Sequence, residues 1–360
     1  ILYGELYTKY GAILNKVYGK PSPQKGSLVF SIRTQILIPS SGETDIDIAT
    51  ATAIDTDVKI AIGGDLNIIT PINSDGRFIS LYINGKGKYN LAKYAQGKSV
   101  VHLYNSDIKK LNFYLPTNMA EQKKVGDFFS KLDCQIELEE KKLELLEQQK
   151  KGYIQKIFSQ ELRFKDENGN NYPNWEMKKL GNIANIVGGG TPSTKKSEYW
   201  DGDINWFSPV EIGDKEFVST SQRRITEKGL EKSSAKVLPI GTVLFTSRAG
   251  IGKTAILSKE ATTNQGFQSI VPKENDLDSY FLYSMTSILK RNAEKVGAGS
   301  TFSEVSRKQM EQIKLLIPIL KEQKQIGRLF QIINRKINKQ IHKIELLKQR
   351  KKGLLQKMFV

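Results

Sequence analysis

Apolar residues recur at steps of four and three along two stretches of the chain. Residues 121–158 and 322–359 share this pattern, although Glu139 and Glu140 interrupt it in the first stretch. The spacing predicts two helices that each bury one stripe along a partner helix. The apolar positions are Val125, Phe129, Leu132, Ile136, Leu143 and Leu146 in the first stretch, and Ile326, Phe330, Ile333, Ile337, Ile341, Ile344 and Leu347 in the second.

The two stretches are also copies of one another. Shifted by 201 positions, they share 17 identical residues out of 38 without a gap, which indicates an internal repeat. The first copy holds eight basic and eight acidic residues, whereas the second holds eleven basic and two acidic ones. Because pairing within one chain relieves the repulsion along the basic helix, we expect the copies to pair with each other. The alternative is two amphipathic helices, each packed on its own domain.

Two variable modules precede the two helices. In the first module, residues 1–17 predict short strands and loops, and residues 77–95 predict an amphipathic helix. A polar stretch at 159–180 then leads to a second module that follows the same order. Further strands are predicted at 26–33, 45–54 and 65–71, with a short helix and a strand over 99–116. Their expected counterparts are 241–248 for 26–33, 262–272 for 63–71, 279–289 for 77–87 and 301–318 for 100–116.

The first module lacks a counterpart of residues 180–203, because Ile1 aligns near Asn205. We therefore expect about 25 N-terminal residues to be missing from the first module. The predicted domain boundaries are 1–116 for the first module, 117–160 for the first helix, 161–178 for the linker, 179–318 for the second module and 319–360 for the second helix.

The composition narrows the possible functions. A net charge of +17 and a pI near 9.6 indicate a polyanionic partner. The single cysteine, Cys134, and the two histidines, His102 and His342, argue against a disulfide framework and against metal sites built from these residues. Neither a membrane-spanning apolar run nor a signal peptide is visible, so we expect a cytoplasmic protein.

Three motifs that would suggest an enzyme are incomplete. The run SRAGIGKT (247–254) carries Ser247 where a phosphate-binding loop needs its first glycine. Adenine methyltransferases carry Asn or Asp, two prolines and an aromatic residue, and this chain has no Pro-Pro pair. The glycines at 188–190 precede Thr-Pro and not the start of a helix, so they do not form a dinucleotide fingerprint. We therefore predict a non-catalytic chain.

Several longer runs resemble the specificity subunit of Type I restriction–modification systems. They cover nearly the whole chain together with the repeated helices, whose ends share ELL, KKG and a final Phe. The runs are GGGTPSTKKSEYWDGDINWFSP (188–209), ITEKGLEKSSAKVLPIGTVLFTSRAGIGKTAI (225–256) and TNQGF (263–267), with YGELYTKYG (3–11) and KGSLVFSIR (25–33) in the first module.

The resemblance implies an α+β fold in which an antiparallel coiled coil of the two helices separates two target-recognition domains. Each domain would read one half of a bipartite site in double-stranded DNA, and the helices would set the spacing. The implied partners are two modification (methyltransferase) subunits, which use S-adenosylmethionine for adenine N6 methylation, and restriction subunits, which use ATP and Mg²⁺. No cofactor is implied in this chain, and the setting would be the bacterial cytoplasm.

Polar and basic loop residues are the candidates for DNA contact, because Arg suits guanine edges, Gln suits adenine and Lys neutralises phosphate. Arg33 and Arg248 align at the same strand end in the two modules. Trp206 is a weaker candidate, since a core position explains it better than a base contact does. The predicted contacts are Tyr7, Lys9, Tyr10 and Arg33 in the first module, and Thr191, Ser193, Lys195, Lys196, Trp206, Arg248, Lys253 and Gln265 in the second.

Polar residues kept in both helix copies are predicted to contact two identical partners. Common descent of the copies would also explain them. For the chain as a whole, a coiled-coil scaffold that reads no sequence is an alternative function. The predicted positions are Gln148, Lys150, Lys151, Gln155 and Lys156, with Gln349, Lys351, Lys352, Gln356 and Lys357 in the second copy.

Overall fold

The computed structural model describes residues 1–17, 29–112, 114–248, 250–297 and 304–359. The chain divides into two compact units. The first unit comprises Ile1–Leu143 and Lys339–Val360, and the second comprises Glu144–Asn338. Each unit therefore contains one variable module and parts of both long helices. None of the helices in the described ranges has the length and apolar character that crossing a membrane requires.

The first unit combines short helices with a mixed sheet of order β1-β5-β3-β7, in which β1 runs parallel to β5 and the other pairs are antiparallel. Its core includes Ile36, Phe78 and Leu81. The elements are α1 (Tyr3–Thr8), β1 (Ile13–Leu14), β2 (Val29–Phe30), β3 (Ile36–Pro39), β4 (Ser41–Gly42), α2 (Asp45–Ile48), β5 (Thr52–Ile54), β6 (Ala61–Ile62), β7 (Leu66–Ile69), α3 (Gly76–Asn84), α4 (Lys88–Ala92), β8 (Val101–His102), α5 (Asn105–Ile108) and the start of the long helix α6 (Met119–Phe158).

The second unit contains a sheet of order β10-β17-β14-β15-β12 and a smaller sheet of order β13-β11-β16. Two short 3₁₀ turns, at Ser197–Tyr199 and Pro209–Glu211, flank β11. The elements are β9 (Glu176–Lys179), α7 (Leu180–Ile183), β10 (Ala184–Gly188), β11 (Trp200–Phe207), β12 (Phe217–Val218), β13 (Arg223–Ile225), α8 (Glu227–Glu231), β14 (Val243–Phe245), β15 (Thr254–Leu257), β16 (Thr262–Thr263), β17 (Gln268–Pro272), α9 (Ser279–Ser284), α10 (Thr286–Gly297), α11 (Arg307–Gln312), β18 (Lys314–Ile317) and the start of α12 (Leu320–Met358).

The two main sheets share a topology. In the second unit β12 runs parallel to β15, and β14 pairs antiparallel with both β15 and β17. The first unit repeats this pattern with β1, β5, β3 and β7. Strand β14 therefore corresponds to β3 at 36–39. The predicted match between residues 241–248 and 26–33 is wrong, because similar letters there do not occupy the same place in the sheet.

Both long helices form, and they run antiparallel to each other within each unit. In the first unit, Lys351 Nζ lies 2.5 Å from Asp133, and Lys348 Nζ lies 2.6 Å from Glu140. Gln340 donates hydrogen bonds to Glu139, which is its own equivalent in the 201-residue repeat. In the second unit, the Phe158 ring stacks on Phe330. The predicted pairing of the two copies within one chain is confirmed.

A repeated glutamine joins each module to its helix. Gln122 accepts the backbone N–H of Asp75 at 2.9 Å and donates to the carbonyl of Pro116. Gln323 accepts the N–H of Asp278 at 2.8 Å and donates to Pro318. Asp75 and Asp278 are the N-caps of α3 and α9, so each glutamine orients the start of one helix of its module.

Aromatic residues fill the junction between helix and module in both units. In the first unit, Phe359 packs edge-on against Phe78 and Tyr82. In the second unit, the Phe158 ring centroid lies 5.9 Å from that of Phe281 and 6.1 Å from that of Trp175. The repeated Phe at the end of each helix copy therefore packs against the other module: Phe158 of the first copy on the second module, and Phe359 of the second copy on the first.

Local side-chain caps explain where the sequence predictions of the first module fail. Tyr3–Thr8 is a helix and not a strand, because Glu5 accepts the N–H of Leu2 at its start. Asp45–Ile48 is helical because the Thr44 hydroxyl caps it, so the predicted strand at 45–54 shrinks to Thr52–Ile54.

The remaining differences concern the predicted helix at 77–95 and the helix and strand predicted over 99–116. The predicted helix at 77–95 breaks at 85–87, where the Gly87 backbone packs against the Tyr82 ring. The helix of 99–116 forms at Asn105–Ile108, but in the described part of 109–116 no strand follows it. Residues 26–28 and 301–303 of the predicted segments lie outside the described residues.

Candidate nucleic-acid interface

Two buried tryptophans fix the glycine-rich loop of the second unit. The indole N–H of Trp206 donates to the carbonyl of Gly190 at 2.8 Å, and that of Trp200 donates to Ser193 at 3.2 Å. The two rings pack edge to face with centroids 5.1 Å apart. Trp206 is only 6% exposed, so the prediction that it contacts DNA is corrected: it supports the loop from below.

The glycines of this loop allow close backbone contact. A Cβ atom at Gly189 would lie 2.0 Å from the carbonyl oxygen of Asn264, and one at Gly190 would lie 2.3 Å from the amide nitrogen of Ala235. Any side chain at either position would therefore displace backbone. The close packing explains the glycines at 189 and 190 of the GGGTP run.

Three loops bring predicted contact residues together on one surface. The exposed side chains of Thr191 and Gln265 are hydrogen-bonded to each other. The Ser247 N–H donates to the Gly266 carbonyl at 2.8 Å, which places the half-buried Arg248 beside the same segment. Loops 189–193, 246–248 and 263–267 therefore present an alcohol, an amide and a guanidinium together, and we call Thr191, Gln265 and Arg248 the loop cluster.

The lysines on the glycine-rich loop are placed differently. Ser193 and Lys195 are exposed, as is Lys196. The Lys196 ammonium lies 3.2 Å from the Tyr199 hydroxyl and 5.3 Å from the centre of its ring. The position of Lys196 is therefore held, whereas Lys195 forms no ion pair with any described residue and remains available for phosphate.

Two arginines next to this loop were not predicted from the sequence. Arg223 lies flat on the Trp200 ring, with its guanidinium carbon 3.6 Å from the ring centre, and Arg224 is exposed beside it. Strand β13 brings Arg223 into register with Trp206 of β11. The pair of arginines in SQRRIT was the available signal, but the strand pairing that brings it here cannot be read from spacing alone.

Lys253 directly precedes β15. Strands β14 and β15 form an antiparallel hairpin, in which the Gly252 N–H donates to the Thr246 carbonyl at 3.0 Å. A phosphate-binding loop of this motif connects a strand to a helix, so the hairpin agrees with the rejection of a nucleotide hydrolase. Lys253 instead lines a cavity with Lys150 and Lys290.

The predicted DNA contacts of the first unit either form ion pairs with carboxylates of the same unit or are partly buried. Lys9 pairs with Glu5 at 2.7 Å, and Arg33 pairs with both Asp55 and Asp57. Burial raises the pKa of the Tyr7 phenol, and the nearby Glu43 raises it further. Tyr10 is partly buried.

Arg33 and Arg248 do not occupy equivalent places. Arg248 follows β14, whose counterpart β3 ends before Ser40, whereas Arg33 precedes β3. The predicted alignment of Arg33 with Arg248 is therefore wrong. The segment between β3 and β5, which corresponds to the Arg248 turn, includes β4 and α2 and carries Glu43, Asp45 and Asp47, so the two units present different chemistry there.

The repeated helix positions have matching exposure in the two copies. Lys150 and Lys351 are each partly buried, so they are less accessible to a partner than the other repeated positions. Lys351 turns inward because it pairs with Asp133. The remaining positions are all exposed: Gln148, Lys151, Gln155 and Lys156 in the first copy, and Gln349, Lys352, Gln356 and Lys357 in the second.

Comparison with known proteins matches residues 6–148 and 172–348 to the family described as Type I restriction modification DNA specificity domain. A Type I restriction enzyme specificity subunit of Methanocaldococcus jannaschii, MjaIX, is 37% identical over 174 residues, which are 47% of this chain and 40% of that protein. A Type I restriction enzyme specificity subunit of Escherichia coli is 35% identical over 159 residues, which are 42% of this chain and 39% of that protein. The matches span less than half of each relative.

A solved structure supports the fold. The S subunit of a Type I restriction–modification system from M. genitalium aligns over 100% of this chain and 92% of its own, with a TM-score of 0.62 and 18% identity. The two units joined by long helices are thus a known architecture. Since the family match covers most of the sequence, the chain belongs to the family of Type I restriction modification DNA specificity domains.

Proposed function

We propose that the chain is the DNA-specificity subunit of a Type I restriction–modification complex. Each unit would read one half of a bipartite site in double-stranded DNA, and the chain itself would catalyse no reaction. Adenine N6 methylation would belong to two modification subunits that use S-adenosylmethionine. Restriction subunits would use ATP and Mg²⁺, and no cofactor is expected in this chain.

The loop cluster is the observation that carries this proposal. Thr191, Gln265 and Arg248 come from three separate loops, and buried tryptophans hold the first of these loops in place. Arg and Gln are the side chains that read guanine and adenine edges in the major groove. A rigid base beneath polar loop tips is what sequence readout requires, because a loose side chain cannot discriminate between base pairs.

Charge supports a nucleic-acid partner in general terms. The net charge of +17 favours binding to any polyanion, and Lys195, Arg223 and Arg224 are exposed near the loop cluster. Contacts from such residues to phosphate would set the position on the duplex, whereas the loop cluster would select the sequence. We therefore expect the two groups of residues to have different effects when they are replaced.

An expected result for Arg248→Ala follows from this division. Loss of a guanidinium that contacts a base edge should weaken binding of the cognate duplex by about 1–3 kcal/mol and relax specificity at one base pair. Fluorescence anisotropy with cognate and scrambled duplexes, using the assembled methyltransferase complex, measures both effects. Arg307→Ala is the control, because Arg307 is exposed and pairs with Glu311 on its own helix. Unchanged affinity and preference in Arg248→Ala would contradict the assignment.

The repeated helix face is the proposed contact for the two modification subunits. Leu145 and its equivalent Leu346 are 56% and 51% exposed. At both Gly152 and Gly353, a Cβ atom would meet no atom of the described structure within 4 Å. A glycine inside a helix is unfavourable by about 0.5–1 kcal/mol relative to alanine, and packing within the described chain does not explain either one. Close approach of another helix would explain both, as in other glycine-containing helix contacts.

Replacing Gly152 is expected to have opposite effects on the stability of the chain and on its binding to a modification subunit. Gly152→Ala is expected to raise the free energy of unfolding by about 0.5–1 kcal/mol, because alanine favours the helix and its methyl group meets open space. The same change should weaken binding of a modification subunit, measured by analytical ultracentrifugation. The control is Lys142→Ala, an exposed substitution of the same helix outside this face. Assembly as strong as in the wild type would exclude close approach at Gly152.

A further inference from the structure

Lys150 and Lys351 are equivalent in the repeat but differ in their surroundings. Lys351 pairs with Asp133 at 2.5 Å in the first unit. The equivalent of Asp133 is Asn334, so the carboxylate is replaced by an amide in the second unit. Asn334 is buried and its amide donates to the Tyr280 hydroxyl at 3.0 Å. The inward turn of the lysine is thus kept, while its counter-ion is lost.

No described carboxylate takes the place of that counter-ion. Lys150 forms no ion pair among the described residues, and burial lowers the pKa of its ammonium. Glu216 and Glu147 favour the charged form of Lys150 from a distance. The Glu216 carboxylate instead accepts the Tyr280 hydroxyl at 2.8 Å. A half-buried ammonium group without a counter-ion is unfavourable, so a bound anion would stabilise it.

Lys150 faces a cavity that two more lysines line. The cavity has a volume of about 450 Å³, and Lys253 and Lys290 contribute to its wall. Lys253 has no ion pair with any described residue. Lys290 has only the exposed Glu294 of its own helix, 3.8 Å away. Three lysines from α6, the hairpin turn and α10 therefore line one cavity, and its lining includes no carboxylate. Asp214 and Glu216 line a second cavity that shares Lys150 with the first.

Two glycines build the wall around the lysine side chains. Gly252 has a φ of +91°, and a Cβ atom there would lie 2.5 Å from Cγ of Lys290. Gly213 has a φ of +121°, and its Cβ atom would lie 3.3 Å from Cδ of Lys253. Each lysine stem thus lies against bare backbone, in a conformation that favours glycine. The GIGKT run, which does not form a nucleotide-hydrolase loop, supplies Gly252 and Lys253 to this cavity.

We propose that this cavity binds a phosphate-class oxyanion, which compensates Lys150 as Asp133 compensates Lys351. Lysine binds phosphate oxygens as a point charge, and three lysines from separate elements suit a tetrahedral anion. The hydroxyls nearby contribute less, because Thr286 donates to the Tyr283 carbonyl and Ser284 donates to the Phe281 carbonyl. Since the ammonium groups dominate, binding should weaken steeply as salt rises. The site does not depend on the proposed function.

The test is isothermal titration of the full chain with sodium phosphate at neutral pH and constant ionic strength. The wild type should show one saturable site. Lys150→Met should weaken its affinity about tenfold or more, because one of three charge-assisted contacts is lost. Asn334→Asp should do the same by restoring an internal counter-ion. Lys351→Met is the matched control, since it alters the equivalent lysine in the first unit and should leave phosphate affinity unchanged. Circular dichroism of each variant verifies that it is folded.

Two outcomes would overturn the proposal: no saturable binding in the wild type, or equal affinity in the wild type, Lys150→Met and Asn334→Asp. A second arm distinguishes the source of the anion. If Lys150→Met also weakens binding of a duplex of arbitrary sequence, the anion is a phosphate of the DNA backbone. If duplex affinity is unchanged while phosphate affinity falls, the ligand is a free phosphate compound. Either result of this arm upholds the site, and neither depends on whether the loop cluster reads a sequence.

Discussion

Replacing Arg163 by methionine is expected to lower the free energy of unfolding of the second unit by about 3–5 kcal/mol. Arg163 donates to both oxygens of the Glu322 carboxylate, at 3.2 and 2.7 Å. Glu322 is fully buried, and Trp175 adds a third hydrogen bond at 3.2 Å. Removing the arginine leaves a buried carboxylate without its cation, and that state is much less favourable than an exposed pair broken in water.

Tryptophan fluorescence during urea unfolding measures this effect in the correct unit. All three tryptophans of the chain, Trp175, Trp200 and Trp206, lie in the second unit. Arg307→Met is the control, because it breaks an exposed pair with Glu311 and should change stability by less than about 1 kcal/mol. A loss in Arg163→Met no larger than in this control would show that Glu322 is not held as the structure indicates.

The repeat provides a second control for the buried pair of Arg163 and Glu322. Glu121 is the equivalent of Glu322 but is exposed in the first unit. Glu121→Gln should therefore be nearly neutral, within about 0.5 kcal/mol, as expected for surface substitutions. Glu322 thus stabilises the fold, whereas its equivalent Glu121 is exposed to solvent, although both belong to the same sequence EQK.

Phe330→Ala is expected to lower the free energy of unfolding of the second unit by about 3–5 kcal/mol. Phe330 is 1% exposed, and its ring stacks on Phe158 with an interplanar angle of 4°. Truncation would leave a cavity in the aromatic junction, where Phe281 and Trp175 also pack on Phe158. The loss combines the transfer of the ring to water with the cavity left behind.

Leu145→Ala provides the control for this substitution. Leu145 belongs to the same unit and also lies on a long helix, but it is 56% exposed. Its truncation should change stability by less than about 1 kcal/mol, since little apolar area is uncovered. If Phe330→Ala is as mild as Leu145→Ala when followed by tryptophan fluorescence, the aromatic junction does not hold the helix to its module.

The long helices could be predicted from sequence because their signal is local and repeated. Steps of four and three predict a buried stripe, and a second copy of the helix, one copy neutral and the other basic, identifies the partner. The loop positions of Thr191, Arg248 and Gln265 could also be predicted, because these are polar and basic residues between predicted strands. Short-range chemistry also explains the failures, since caps such as Glu5 and Thr44 override strand-like patterns at Tyr3–Thr8 and Asp45–Ile48.

Apart from the pairing of the two helix copies, long-range contacts could not be predicted from the sequence. The sequence does not indicate that Arg163 pairs with Glu322, 159 positions away, or that Arg223 packs on Trp200. The match of 241–248 to 26–33 failed because strand order in a sheet depends on pairing and not on similar residues. The inward turn of Lys150 and Lys351 likewise depends on what the facing helix offers, which a helical pattern does not specify.

The central claim is that the two units read DNA and do not act as a scaffold for other readers. The direct test is to express the chain with its modification partner and to map methylated adenines across a genome. We predict methylation at one bipartite motif, lost without this chain and altered in only one half when residues 188–272 are replaced by those of another family member. Methylation that is unaffected by this exchange would contradict sequence readout by the second unit.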